Sequence, residues 1–420
     1  MKKAKNLLLI SIGIIFIGMI ILYSCRSYTG PIPKIADTSS GGTDTSSGGA
    51  DTSSGGADTG SGGGGMLDND TPYIIPAITV TKDNILIAAV GSTSGGRMLI
   101  KTSKDGGTNW IKKASIDTPD FTGVIVHPFF IQGYNGEILL GVACEDSSVN
   151  KVVFYKSTAG ENWSKLSEFV ANSLNNFPPN NTGVAYDFVT YGNAVALKHG
   201  VNTNKLIFPY FYKSGTSGKG WCMATMLSTD NGASWQQYGQ DFGDFTTNPG
   251  KFLEIENGDV LYFFSLDNAS KKEEYIAWIK STDCGKTVSS RGLKLNNLYG
   301  KTPEAGKNVD FCRYEFYGKD IGNIKSRVLV AFSDVNNTKY SVMMSTDDFN
   351  NGQIGAKFLG NGAKELGRSS DGQAIWPSIT VLQDGTIATL AAENGSIFFR
   401  SFGLSFLEGK DTKTYSKKLW

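Results

Sequence analysis

An all-β fold, a six-bladed β-propeller behind a disordered tether, is what this sequence predicts, and three observations carry the prediction. From about Leu67 onward the chain consists of short β-type runs separated by Gly, Asn and Asp turns, with little helical periodicity. One hairpin pattern recurs along this body. A Ser-x-Asp-x-Gly-x-x-Trp turn follows most of the hairpins, and its spacing is that of a large repeated unit.

The clearest hairpins are Ile78-Thr79-Val80, Asp83-Asn84, Ile85-Leu86-Ile87 at one end and Ile379-Thr380-Val381, Asp384-Gly385, Thr386-Ile387-Ala388 at the other. Weaker copies run from Phe129 to Leu140 around Asn135-Gly136, from Val195 to Phe208 around Asn202, and from Lys251 to Phe264 around Asn257-Gly258. A sixth is expected between Arg313 and Phe332. Asn-Gly and Asp-Gly pairs accept the positive φ that tight hairpins demand. The second motif is complete at Ser103, Asp105, Gly107 and Trp110, and again at Ser228, Asp230, Gly232 and Trp235. Ser281, Asp283 and Gly285 keep its polar half with Val288 at the Trp position; Ser157 to Trp163 is one residue short, and Ser345-Thr346-Asp347 loses the rest. In such a turn the Asp carboxylate accepts backbone N–H groups, Gly permits φ > 0 and Trp packs under the next turn, so these residues read as structural. The turns begin at residues 103, 157, 228, 281 and 345, and the 354 residues from 67 to 420 give 59 to each of six units. Six four-stranded blades follow, with the last strands expected to join the first and close the ring.

Ahead of the body, Lys2, Lys3 and Lys5 precede an unbroken apolar stretch from Leu7 to Tyr23, the charged and apolar regions of an export signal. Its ending, Leu22-Tyr23-Ser24-Cys25, resembles a bacterial lipobox, which makes residues 1–25 a lipoprotein signal and Cys25 the lipidated residue. An uncleaved membrane anchor is the alternative, the stretch being of marginal length to span a bilayer. Residues 26–66 hold four heptads, Ala36 to Gly42, Thr43 to Gly49, Ala50 to Gly56 and Ala57 to Gly63. This Gly/Ser/Thr/Asp composition buries too little apolar surface to order itself and predicts a flexible leash with a reach of about 35 Å. The expected location is outside the cytoplasmic membrane, held to it by lipid.

Composition limits the partners. The net charge is +1, and the first 65 residues already supply it, with five cations against four aspartates. The neutral body offers no electrostatic footprint for nucleic acid. Two histidines, His127 and His199, and no Cys-x-x-Cys pair argue against zinc, and no cofactor is expected. Cys144, Cys222, Cys284 and Cys312 could form two disulfides after export, but single cysteines buried in strands are the simpler reading. A monomer is expected.

From about Pro72 to Leu407 the order of motifs resembles the bacterial sialidase (neuraminidase) superfamily, whose six-bladed propellers carry such Asp-boxes. The order is Tyr73-Ile74-Ile75-Pro76, the boxes, Leu382-Gln383-Asp384-Gly385-Thr386-Ile387, Glu393, and the closing strand Ile397-Phe398-Phe399-Arg400. The resemblance implies an exo-sialidase site: three arginines on the sugar carboxylate, a Tyr nucleophile activated by Glu, and an Asp acid/base. Position by position the chain departs from it. Ile74 stands at the first arginine, Gly91 to Arg97 carries no acid, Pro249 replaces the activating Glu and Ser265 the second arginine. Asn337, Thr338 and Lys339 occupy the region of the third arginine, and Trp376 aligns with the nucleophile. Glu393, which in the family orients the first arginine, alone keeps its identity, without that partner. Of the body's other arginines, Arg327 and Arg400 sit within strand patterns, leaving Arg313, Arg368 and Arg97 as possible clamps.

A pocket rimmed by residues just before each innermost strand would carry Tyr73, His127 with Phe129, Tyr191, Asn248, Arg313 with Tyr314, and Trp376. Aromatic faces there would stack on sugar, with Arg313, Arg368 and Glu393 as polar anchors. The expected function is therefore glycan recognition, of a sialic-acid-type or related sugar, with doubtful hydrolysis. An active exo-α-sialidase with rebuilt residues and a protein-binding propeller are the alternatives.

Overall fold

The computed structural model describes residues 72–420 apart from 114, 122–124, 145–150, 172–186, 190–191, 214–220, 240–241, 244–247, 269–272, 293–304, 316–326, 335–337, 349–358, 361 and 371–374. The lipobox with Cys25, the repeat tract 26–66 and Tyr191 lie outside the described residues.

Six sheets follow one another along the chain, antiparallel apart from one short parallel strand added to the second. Blade 1 comprises Pro72–Val80, Leu86–Ser92 and Arg97–Ser103, edged by Ile111–Lys112 and Ile116–Asp117. Blade 2 comprises Val126–Gln132, Ile138–Cys144, Lys151–Ser157 and Ser164–Val170. In blade 3 the innermost strand is split into Asp187–Val189 and Val195–Ala196, followed by Leu206–Lys213, Trp221–Ser228 and the short edges Gln236–Gln237 and Phe242–Gly243. Blade 4 runs Asn248–Glu254, Val260–Asn268, Glu273–Ser281, Ser290–Gly292; blade 5 runs Ala305–Arg313, Val328–Asp334, Lys339–Ser345, Lys364–Arg368. Blade 6 runs Ser378–Val381, Ile387–Glu393, Ser396–Phe402, Tyr415–Lys418. All six expected hairpins join the first and second strands of their blades.

Second strands are covered on both faces by neighbouring blades, so they read as continuous apolar runs; Leu86–Ser92, Val328–Asp334 and Ile387–Glu393 are buried throughout. The apolar material gathers into six main clusters, one at each blade interface. Phe154 and Phe208, for example, join blades 2 and 3 with their rings 5.5 Å apart. Burial of one such side chain contributes roughly 1.5–3 kcal/mol.

The Ser-x-Asp-x-Gly turns link third strands to the outer edges. Ser103 Oγ donates to Asp105 at 2.8 Å and accepts the Gly107 N–H at 2.9 Å, while Asp105 accepts the Asn109 N–H at 2.8 Å. The turn at Ser228, Asp230 and Gly232 and the one at Ser281, Asp283 and Gly285 repeat this wiring. Their glycines do more than permit positive φ. A Cβ on Gly107 would lie 2.2 Å from Phe399, on Gly160 2.6 Å from Ile87, on Gly232 2.5 Å from Leu139, and on Gly285 2.8 Å from Thr225. Each contact belongs to the preceding blade. The tryptophans face the same way: Trp110 meets Phe399 of blade 6 edge-on at 5.1 Å, and Trp235 stacks on Phe154 of blade 2 at 4.5 Å. Val288 fills the equivalent place between blades 3 and 4. Trp thus packs back onto the previous blade instead of under the next turn.

Ring closure differs from expectation. Among the described residues the last strands form a sheet of their own and the first strands another. Blades 6 and 1 meet by packing Ile78, Val80 and Ala88 against Leu390, Ile397 and Phe399. A few bonds cross the seam, including Gln383 N–H to Asn84 Oδ1 at 2.9 Å and the Lys101 ammonium to the Leu419 carbonyl. Cys284 is buried in a turn at φ 67° and Cys312 lies on the inner strand of blade 5; both are free thiols, and burial pushes that of Cys284 up to about 12.

Candidate functional site

The six inner strands run the same way along the axis. Their final residues converge on a lower cavity of ≈ 110 Å³, lined among others by Thr79, Gln132, Glu254, Arg313 and Val381. Their first residues therefore face the opposite, upper mouth. Between the two, blade 3 sends its chain across the axis: Gly192–Asn193 pairs in parallel with Phe129–Phe130 of blade 2. Gly192 has φ 81°, and a Cβ there would sit 2.8 Å from Asp310 Oδ2. Only glycine lets the backbone come so close.

Asp310, fully buried, is the hub of this crossing. Its carboxylate accepts Ser378 Oγ–H and Ile379 N–H at 3.0 Å, Asn193 Nδ2–H at 3.1 Å and Phe311 N–H at 3.0 Å. Lys251 Nζ from blade 4 stands 3.3 Å away. Ser378 Oγ in turn accepts the Ile78 N–H of blade 1 at 3.1 Å. All six blades thus meet this one group directly or through a single neighbour. Burial pulls the Lys251 ammonium below its ordinary value and pushes the Asp310 carboxyl above its own, and their mutual attraction opposes both shifts.

A second charged cluster rims the lower cavity. Glu254 accepts the Lys198 and His199 N–H groups at 2.7 and 2.9 Å. Glu315 accepts Arg313 Nε–H at 2.7 Å and pairs with His199 Nε2 at 2.9 Å, and Arg313 Nη1 also reaches Asp348 at 2.8 Å. Burial alone would raise the Glu315 carboxyl, but His199, Lys198 and Arg313 hold it down to about 2. The hydrogen bond to Glu315 raises His199 above its usual 6.5. A depressed carboxylate stabilises the fold above its unfolded value and loses that contribution as pH falls from 4.5 toward 2. A raised histidine stabilises below 6.5 and loses its contribution as pH climbs through its folded value. The pair's joint contribution to thermal stability should therefore be greatest between pH 4.5 and 6.5. Glu315→Gln should weaken the acid arm by roughly 3 kcal/mol and His199→Gln the alkaline arm; superimposable wild-type and Glu315→Gln profiles would rule out this pair as a contributor.

Several residues expected at the mouth lie elsewhere. The inner strand of blade 5 is Ala305–Arg313, so Arg313 and Tyr314 stand at its lower end. Tyr314 is buried and donates to the Gly385 carbonyl at 2.9 Å. Asn308 and Asp310 interrupt the apolar pattern that would have marked this strand, which displaced its reading. Arg368 ends the outer strand of blade 5, its side chain 76% exposed and paired with Glu365. Arg97 pairs with Asp117 at the edge of blade 1. His127 and Phe129 are core residues, and burial pulls the imidazole of His127 down to about 3, leaving it neutral.

Glu393 does have a cationic partner. Arg400 grips it with two guanidinium nitrogens, one at 2.8 Å, and also donates to Tyr340 OH at 2.9 Å. The carboxylate is buried against Gly367 of blade 5, where a Cβ would come within 2.7 Å of its Cδ. Trp376 remains at the upper mouth, half-buried, two residues before the inner strand of blade 6. Tyr73 lies on the first inner strand, its side chain outside the described set, as is that of Asn248 on blade 4.

This six-bladed ring matches known structures. The leech intramolecular trans-sialidase superposes with a TM-score of 0.59 at 13% identity, over 81% of this chain and 70% of that one. The intramolecular trans-sialidase of Ruminococcus gnavus gives 0.58 at 14% identity, over 82% and 97%. The chain has the fold of a sialidase propeller. A Dyadobacter fermentans protein of unknown function shares that sialidase-type ring, with a TM-score of 0.53 at 14% identity over 78% of this chain and 92% of that one. No family profile and no curated protein sequence matches the chain.

The hub residues Asn193, Lys251, Asp310 and Ser378 were not singled out from sequence. The available signal was a charged letter inside a strand, in Lys251-Phe252-Leu253 and Val309-Asp310-Phe311, where Asp is otherwise depleted.

Proposed function

We propose that this chain is an exported, lipid-tethered propeller that binds glycan at its upper mouth and has little or no sialidase activity. The observation that carries this reading is the engagement of Glu393: its carboxylate is buried and gripped by Arg400 between blades 5 and 6, as a strut. The described arginine side chains 97, 313 and 368 lie on edges or at the lower mouth. Among the described side chains the upper mouth carries the half-buried Trp376, an indole of the kind that stacks on sugar C–H surfaces. A carbohydrate ligand is suggested by the neighbours, the leech enzyme being described with 2,7-anhydro-Neu5Ac prepared by soaking with 3'-sialyllactose. Export and anchoring rest on the basic, apolar and lipobox segments ending at Cys25.

Two assays test the proposal. Isothermal titration of the body with sialyllactose and a neutral glycan panel should show binding that Trp376→Ala weakens about tenfold, the value of one aromatic stack, at unchanged melting temperature. Absence of binding to every glycan would sink the recognition reading. A fluorogenic sialoside should be turned over no faster than the blank; turnover above the blank by the purified body would establish an enzyme instead.

A further inference from the structure

We infer that Asn308 and Asp310 are positioning residues for the upper mouth, fixing from blade 5 the segment of blade 6 that carries Trp376. The inference rests on the glycan-binding reading for its purpose, and on geometry for its content. The inner strand of blade 6 is short, Ser378–Val381, and residues 375–377 lie before it, outside any sheet ladder. Their place is set from the neighbouring blade. Asn308 Nδ2 donates to the Ile375 carbonyl at 3.0 Å, one residue before Trp376. Asp310 accepts Ser378 Oγ–H and Ile379 N–H at 3.0 Å, two and three residues after it. Between these anchors Pro377 fixes its own φ and confines Trp376 to extended conformations. Trp376 therefore stands on a short span pinned at both ends.

The two pins are an improbable use of buried polarity unless position matters. Asn308 is 2% exposed and Asp310 0%. On an inner strand that otherwise buries Val309 and Phe311, polar side chains cost stability unless their bonds are made. Here those bonds go to the stretch that precedes and opens the blade-6 strand. Lys251 and Asn193 complete the set around Asp310, holding the carboxylate in one orientation. Rotation of Asp310 would release both Ser378 and Ile379, and with them the lower anchor of the Trp376 span.

The test uses 5-fluorotryptophan incorporated into the body, whose seven tryptophans give separate fluorine resonances; that of Trp376 is the one missing in Trp376→Phe. Asn308→Leu and Asp310→Ala, the latter leaving Ser378 and Ile379 without their acceptor, are compared with Tyr314→Phe, which removes a buried bond between the same two blades at the lower face. Asn308→Leu keeps a readout should Asp310→Ala fold poorly. In the two mouth variants the Trp376 resonance should shift or broaden while the other six hold, and glycan affinity should fall at least tenfold. Tyr314→Phe should leave both unchanged. An unmoved Trp376 resonance in the mouth variants overturns the inference whether or not glycan binds. A resonance that responds in a protein that binds no glycan upholds the positioning and removes the glycan reading instead.

Discussion

Asp310→Ala is expected to cost about 3–5 kcal/mol of stability in chemical denaturation, the penalty typical of removing one partner from a buried ion pair. The loss has two sources. Lys251, 4% exposed, would keep an ammonium with no facing carboxylate in the channel. Ser378 Oγ–H, Ile379 N–H and Asn193 Nδ2–H would lose their acceptor in a site that the crossing of Gly192–Asn193 closes over. A buried donor without an acceptor costs about 1–3 kcal/mol. Lys251→Met in the Asp310→Ala background should recover part of the loss, because the stranded charge goes while the orphaned donors stay. An Asp310→Ala penalty below about 1 kcal/mol, or a double variant no better than the single, would show that the hub does not hold the blades.

Much of the ring could be read from the chain because its signals are local. Hairpins such as Ile78 to Ile87 and Ile379 to Ala388 combine an alternating first strand and an apolar second strand with Asp-Asn or Asp-Gly turns, and both elements act within about ten residues. The Ser-x-Asp-x-Gly turns are equally local, with Ser103 and Asp105 bonding within their own loop. What was not legible depends on partners far apart in sequence. Asn308 and Asp310 broke the apolar pattern of Ala305–Arg313 because their bonds go to residues 375–379, and the misplacement of Arg313 and Tyr314 at the mouth followed. Glu393 looked deprived of its arginine because Arg400 faces it only once the register pairs Glu393 with Ser396 and Thr389 with Arg400, setting both on one face of blade 6. The glycine at 107 could be read as a turn residue, while its contact with Phe399, nearly three hundred positions away, could not.

That contact yields the second large effect. Gly107→Ala is expected to cost about 2–4 kcal/mol and to loosen the seam between blades 6 and 1 before the other interfaces. The new methyl would lie 2.2 Å from Phe399 Cε1 and 2.3 Å from Cζ. Phe399 is fully buried and edge-on to Trp110 at 5.1 Å, so the ring cannot yield without displacing the indole. The backbone, at φ 96°, adds strain for any L side chain. Gly395→Ala supplies the control, with φ 71° and no atom within 4 Å of the added Cβ, so it carries conformational strain alone. The excess of the Gly107 penalty over the Gly395 penalty measures what close packing contributes to closing the ring. Because no described strand passes from the first sheet to the last, that packing has few substitutes. Hydrogen exchange should accelerate in Arg97–Ser103 and Ser396–Phe402 while Leu206–Lys213 of blade 3 stays protected. Equal penalties for the two alanines, with uniform exchange around the ring, would mean that the seam is held by something other than the fit of Phe399 into the space left by Gly107.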